Sequence, residues 1–161
     1  MPIKVGDPIP AAKLRVMTSE GPVWKTTDEL FKGKKVVLFG VPGAFTGTCH
    51  KSHLPGFIQH ADAIKQKGVD MIAVTGVNDH FVMDAWREAS GAGDKIEFLS
   101  DGNGDFAKAL DLTFDGSGNG LGTRSKRYAM VIEDGVVKTL NIEETPGKVE
   151  LSSAENILKA L

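Results

Sequence analysis

One stretch limits this chain more than any other. An apolar, largely β-branched run, Val36-Val37-Leu38-Phe39-Gly40-Val41, stops at Pro42-Gly43. A loop of mostly small residues, Ala44-Phe45-Thr46-Gly47-Thr48, then leads to Cys49, the only cysteine in the sequence, and an amphipathic segment follows. An unbroken apolar run is what a strand covered on both faces needs, so Val36–Val41 is expected at the centre of a sheet. A single cysteine permits no intramolecular disulfide, which excludes the disulfide-stapled class of small secreted domains. Whatever that thiol does begins and ends on one sulfur.

The remaining bounds are simple. A chain of 161 residues is expected to form one domain, 1–161. It should bury roughly 68–70% of its unfolded surface, enough for a core without staples. The formal charge of −2 carries no long block of one sign, which argues against nucleic acid as the main partner. No apolar run approaches the ~20 residues that cross a bilayer, and Met1–Asp7 lacks the apolar core of a signal peptide. The expectation is a cytoplasmic protein that does not engage membranes.

Read in order, Lys13–Met17 alternates as a strand, and Val23–Lys25 pairs back through Ser19-Glu20-Gly21-Pro22 as an N-terminal β-hairpin. Thr26 or Thr27 caps a short helix ending before Gly33. A helix is expected from about Thr48 to Lys67, kinked near Pro55, which lacks a backbone donor. Val69–Thr75 is a second buried strand, and Asn78 or Asp79 caps a helix from His80 to about Ala89. A short strand at Ile96–Leu99 and a short helix at Asp105–Leu110 precede a glycine-rich surface segment, Asp115–Gly122. Arg127–Glu133 and Val136–Asn141 form a hairpin turned at Asp134-Gly135, and Ser152 or Ser153 caps a final helix. After residue 36 the order is β-α-β-α, a short βα insertion, a hairpin and a helix. That is a thioredoxin-like α/β fold: a mixed central sheet with helices on both faces, extended by the N-terminal hairpin.

A lone cysteine is by default a small buried hydrophobe. The neighbours of Cys49, namely Thr48, His50 and Lys51, do not form a core stripe, and the residue stands at a helix start. Unpaired amides and the positive end of the helix dipole favour an anion there, and the thiolate is the nucleophilic form of cysteine. No Cys-x-x-Cys is present, so an intramolecular dithiol cycle is excluded. Attack on a peroxide oxygen, leaving a sulfenic acid that an external thiol reduces, fits a one-sulfur cycle. Thr46 can hold the peroxide, the Thr48 and Cys49 amides can stabilise charge on oxygen, and Pro42 can wall off the sulfur. A nearby cation is needed, with Lys51, Arg124 and Arg127 as candidates.

Pro42-Gly43-Ala44-Phe45-Thr46-Gly47-Thr48-Cys49, followed by His53-Leu54-Pro55-Gly56-Phe57, resembles the active-site signature of peroxiredoxins, in particular the atypical type II or "five" subfamily. Pro42, Thr46 and Cys49 match its Pro-x-x-x-Thr-x-x-Cys spacing. Similar stretches run along most of the chain: Ile3–Asp7, Val77-Asn78-Asp79, Phe81-Val82-Met83, Arg124–Tyr128 and Glu133-Asp134-Gly135. The resemblance implies a thiol peroxidase acting on hydrogen peroxide and alkyl hydroperoxides, without a cofactor or metal. It implies Arg124 as the arginine that polarises thiolate and peroxide. It also implies a homodimer, and an external reductant such as glutathione with glutaredoxin, or thioredoxin. Two positions depart from the family pattern. Gly47 stands where proline is usual, and Val149–Ser153 offers no second thiol where some members carry one.

Other signals lead nowhere. Gly102–Ala107 matches a dinucleotide fingerprint but lacks its acidic partner ~20 residues on. Asp101-x-Asn103-x-Asp105 starts like a calcium loop and then places Phe106 and Leu112 where glycine and glutamate belong. Cys49, His50 and His53 lack a fourth metal ligand. Two other functional classes use the same chain differently: a non-catalytic thiol redox sensor, and a holdase-type interaction protein that would not need Cys49.

Overall fold

The computed structural model describes residues 2–145 and 147–161. The apolar run becomes β3 (Lys35–Val41), after β1 (Lys13–Thr18) and β2 (Gly21–Thr26) have formed the expected antiparallel hairpin. Helix α1 (Thr27–Phe31) starts with a reciprocal cap: Thr26 Oγ1 accepts from the Glu29 amide, and the Glu29 carboxylate accepts from the Thr26 amide. Strands β4 (Met71–Gly76), β5 (Glu97–Ser100), β8 (Tyr128–Glu133) and β9 (Val136–Ile142) complete a seven-stranded sheet of order β2-β1-β5-β4-β3-β8-β9. Strand β3 is hydrogen-bonded on both edges, parallel to β4 and antiparallel to β8, as its continuous hydrophobicity requires. The β8–β9 turn forms at Asp134 and Gly135, both at positive φ (50° and 77°), the geometry that makes Asp-Gly a hairpin signal.

Side-chain alternation along β3 divides the core in two. Val37, Phe39 and Val41 face a layer made by α2 (Leu54–Gln59), α3 (Ala61–Gln66), α4 (His80–Ser90) and α6 (Ala154–Ala160). Val36 and Leu38 face α1 and α5 (Asp105–Leu110). The helices thus lie on both faces of a mixed sheet, which is the thioredoxin-like arrangement.

Two stretches differ from the sequence expectation. The glycine-rich segment is framed by a small antiparallel ribbon, β6 (Thr113–Asp115) with β7 (Thr123–Ser125), in which Phe114 pairs with Arg124. The single kinked helix expected from Thr48 to Lys67 is three pieces. Cys49–His53 takes the wider π-helical form, with the Leu54 amide bonded to the Cys49 carbonyl, and α2 and α3 follow. Pro55 explains the first change: it has no N–H for the carbonyl four residues back, and its ring would strike that turn. Widening the preceding turn by one residue keeps the chain helical through the proline.

Candidate active site

The chain leaves β3 at Val41 and turns at once. Phe45 sits in the left-handed region at φ 63°, where a side chain of that size costs about 1–3 kcal/mol. The turn is held from outside: the Ala44 amide donates to Asn78 Oδ1 at 2.8 Å, and Thr46 Oγ1 donates to the Gly43 carbonyl at 2.7 Å. The Thr46 carbonyl then accepts from the His50 amide at 2.9 Å, so the amides of Gly47, Thr48 and Cys49 lie ahead of the first helical bond. Cys49 itself has no exposed surface. It is a core residue and a site residue at once, packed in the layer that contains Phe39, Leu54 and Phe57.

A cation reaches the sulfur. Arg127 is 2% exposed, and its Nη2 donates to Cys49 Sγ at 2.9 Å. Its Nη1 lies 2.9 Å from His53 Nδ1, and His53 Nε2 lies 3.0 Å from the Ser152 carbonyl. A guanidinium only donates and a carbonyl only accepts, so the imidazole must be neutral, with Nδ1 accepting and Nε2–H donating. The electrostatics agree: burial first, and the adjacent Arg127 charge second, lower the His53 pKa from 6.5 to about 3, against a smaller opposing effect of the Ser152 bond. The ring packs on Phe39 and Phe57, which stack on each other with centroids 4.1 Å apart.

Arg124 does something else. Its Nη1 donates to the Pro42 carbonyl at 3.0 Å and its Nε to the Leu121 carbonyl at 3.0 Å. A Cβ at position 43 would stand 2.4 Å from Arg124 Nη1, so Gly43 is what lets the guanidinium lie against the loop. Pro42 is buried beneath this contact. His50 faces away from the sulfur's partners, with Nδ1 accepting from Trp86 Nε1 at 3.1 Å and the ring beside Phe45.

Comparison with known proteins follows the same lines. Residues 4–158 match the Redoxin family model. Peroxiredoxin-2E, chloroplastic, of Arabidopsis thaliana is 49% identical over 99% of this chain and 69% of its own length. Peroxiredoxin-2C of Oryza sativa subsp. japonica is 47% identical over 99% of both chains. The chain belongs to the peroxiredoxins of the Redoxin family. Among solved structures, reduced Prx3 of Vibrio vulnificus in complex with H2O2 superposes with a TM-score of 0.93 at 54% identity, covering 98% of both chains. Peroxiredoxin 5 of Alvinella pompejana superposes with a TM-score of 0.86 at 33% identity over 99% of this chain and 97% of its own. Type II and "five" relatives therefore flank this peroxiredoxin, which is a thiol peroxidase. Among the described residues no helix is long and apolar enough to cross a membrane. Named relatives include chloroplastic and mitochondrial proteins.

Of the residues singled out from sequence, Pro42, Thr46 and Cys49 fall on one loop and helix start. The choice of Arg124 as the cation on the sulfur is corrected: Arg127 makes that contact, and Arg124 holds the loop carbonyl instead. The signal for Arg127 was present in the strand period. Arg127, Ala129 and Val131 share one face leading into and along β8, and Ala129 and Val131 pack in the Cys49 layer. Tyr128, Met130 and Ile132 face the other way. Sequence reasoning also left His53 without a role toward the arginine, although the i, i+4 spacing from Cys49 places both on one helix face. Both ring nitrogens of His53 and Nδ1 of His50 are engaged by protein groups, which removes the metal-ligand reading.

Proposed function

We propose that Cys49 is the peroxidatic nucleophile of this thiol peroxidase and that Arg127 is the cation that activates it. The observation that carries this reading is the 2.9 Å contact from Arg127 Nη2 to the sulfur. The thiolate attacks one oxygen of ROOH, an S–O bond forms and the O–O bond breaks. The alkoxide or hydroxide that leaves takes up a proton, and Cys49 is left as sulfenic acid. Arg127, fixed before the reaction begins, stabilises the charge that moves from sulfur to the leaving oxygen. Thr46 Oγ1, whose one hydrogen is given to the Gly43 carbonyl, is the acceptor for the O–H of the bound peroxide, and the early amides of Thr48 and Cys49 are the donors toward it. Pro42 limits water at the sulfur. The Vibrio vulnificus relative captured with H2O2 supports hydrogen peroxide as a substrate.

Cys49 is the only thiol in the chain, so the sulfenic acid is reduced from outside. One external thiol expels water to form a mixed disulfide, and a second releases Cys49. Glutathione with glutaredoxin, or thioredoxin, fills this role, and steady-state turnover with each pair identifies the physiological one. Cys49→Ser should abolish peroxide consumption; a variant that still turns over at the wild-type rate would end this reading. A redox sensor, in contrast, would stop after one equivalent of peroxide in the presence of reductant.

Three coarser readings complete the proposal. The whole chain, 1–161, acts as one domain, supported by a sheet that draws strands from both ends of the sequence. The protein works as a homodimer through the surface around Phe45, which is 46% exposed beside the site; a monomeric mass in light scattering would contradict it. Its compartment is the cytoplasm, which fractionation of the source cells tests.

A further inference from the structure

The segment that crosses the site between β9 and α6 contains no thiol, yet it is tied to the reacting centre at several points. Glu143, at the end of β9, is 7% exposed. Its amide donates to the Arg127 carbonyl at 3.0 Å, continuing the β8–β9 ladder by one rung. Its side chain turns back over the segment: Oε2 accepts from the Glu150 amide at 2.9 Å, the Ser152 amide at 2.7 Å and the Ser152 hydroxyl at 2.6 Å. Ser152 is fully buried, and its carbonyl is the acceptor for His53 Nε2. Near the middle of the segment the Gly147 carbonyl accepts from Thr48 Oγ1 at 2.9 Å, one residue from the sulfur.

These bonds form one continuous chain from a buried carboxylate to the nucleophile. We propose that Glu143 is a positioning residue for the reaction: by gathering the Glu150 and Ser152 donors it fixes the Ser152 carbonyl, which orients His53, which in turn aims Arg127 at Cys49. The proposal rests on the reading of Cys49 and Arg127 given above and adds the reason why the guanidinium keeps one direction. Arg127 has two nitrogens to satisfy in this corner, and the neutral His53 accepts from one of them without competing for its charge. A buried carboxylate with three donors is costly to disturb, so the carbonyl it holds has little freedom. Burial alone would raise the Glu143 pKa, but the hydroxyl of Ser152 and the amides of Ser152, Leu151 and Glu150 outweigh it and hold the group below its usual range. The carboxylate is therefore charged under ordinary conditions, the form that makes its hydrogen bonds strongest.

The test compares two reactions of the same sulfur, oxidation by hydrogen peroxide and alkylation by iodoacetamide, both followed as second-order rates. The proteins are the wild type, Glu143→Ala, Glu143→Gln and Ser152→Ala, with Cys49→Ser as a control. Misaiming the guanidinium should slow peroxide oxidation in Glu143→Ala by about tenfold to a hundredfold, the usual cost of displacing a catalytic group by about 1 Å, while alkylation changes several-fold less. Glu143→Gln keeps an acceptor oxygen and should recover most of the oxidation rate. Ser152→Ala keeps the carbonyl on His53 and should lose least. If Glu143→Ala does not fold, Glu143→Asp replaces it, with its shorter arm and the same expected direction. Oxidation at the wild-type rate in a folded Glu143→Ala overturns the proposal. So does an equal fall in both reactions, which would mark Glu143 as a merely structural tie, and so does a Glu143→Gln as slow as Glu143→Ala. The control separates the two levels: a Cys49→Ser that still consumes peroxide defeats the reading of the site, whereas an inert Cys49→Ser beside an unimpaired Glu143→Ala defeats only the role of Glu143.

Discussion

Arg124 and Arg127 stand three residues apart, carry the same charge and both reach the loop that ends at Cys49. They do opposite kinds of work. Arg124 is partly exposed and donates to two backbone carbonyls, Pro42 and Leu121. Arg127 is buried and donates to a sulfur and an imidazole. The difference comes from strand parity and from what already fills each site. Arg124 emerges from the outer ribbon and meets main chain, whereas Arg127 enters the core with β8 and meets Cys49 and His53 of the first helical turn. A guanidinium that spends its donors on carbonyls shapes a loop. One whose donors meet a nucleophile, in a buried site, changes that nucleophile's chemistry.

The contrast can be broken experimentally, most severely at Arg127. Arg127→Ala should lower the second-order rate of Cys49 oxidation by roughly 10²–10³, the loss typical of removing one preorganised donor from a developing charge. Arg127→Lys should not restore it, because an ammonium cannot span Sγ and Nδ1 together as the planar fork does. Stopped-flow oxidation with hydrogen peroxide measures both; a rate equal to wild type in Arg127→Ala would remove the distinction between the two arginines.

The next effect is on stability, through the partner that only Arg127 has. His53 binds a proton at about pH 3 in the folded chain and near 6.5 when unfolded. Between those values the unfolded state holds more protons, so stability is complete above about pH 6.5 and is lost as pH falls toward 3. The amount is a few kcal/mol across that window. Urea midpoints from pH 7 to pH 4 should fall more steeply in the wild type than in His53→Gln, and parallel curves would contradict the neutral, Arg-bonded imidazole.

Arg124 should cost less. Arg124→Ala frees the Pro42 carbonyl and should slow oxidation by about tenfold, through loop displacement alone. Gly43→Ala should reproduce that loss with the arginine still present, since the new methyl would push against Nη1. Agreement of these two variants, both well above Arg127→Ala in rate, sharpens the comparison, while a loss in Arg124→Ala as deep as in Arg127→Ala erases it. The smallest effect lies at Gly47. A Cβ there meets nothing within 4 Å, and the residue opens the helix, where proline is preorganised. Gly47→Pro should raise stability by about 0.4–1 kcal/mol in thermal or denaturant unfolding, chiefly by restricting the unfolded chain.

Much of this architecture is written locally. The Val36–Val41 run could only be a strand paired on both edges, Asp134-Gly135 could only turn tightly, and Pro42, Thr46 and Cys49 are joined by one short loop. What was not legible depends on contacts between distant segments. Choosing between Arg124 and Arg127 required the register that carries 127, 129 and 131 toward the Cys49 layer. The part played by His53 needed Ser152, 99 positions away, as its second partner. The π turn was foreshadowed by Pro55, but a proline does not say whether the chain will kink, break or widen. Glu143 gave no signal at all, because an acidic residue after a strand is ordinarily a solvated end.

The complete burial of the Cys49 sulfur has a consequence for the two halves of the cycle. Not even a water-sized molecule touches the sulfur in the closed form, so hydrogen peroxide, a few atoms across, needs a small displacement of the loop to meet it. A reducing thiol carried on a tripeptide or a protein cannot reach a sulfur with no accessible surface, so it meets only the fraction of molecules in which the turn around Cys49 has opened. Its observed rate is the intrinsic exchange rate multiplied by that fraction. The bonds that make the closed form a good oxidant trap therefore throttle recycling. Tightening them fixes the donors around the sulfur but depresses recycling, and turnover is fastest where the opening equilibrium balances the two.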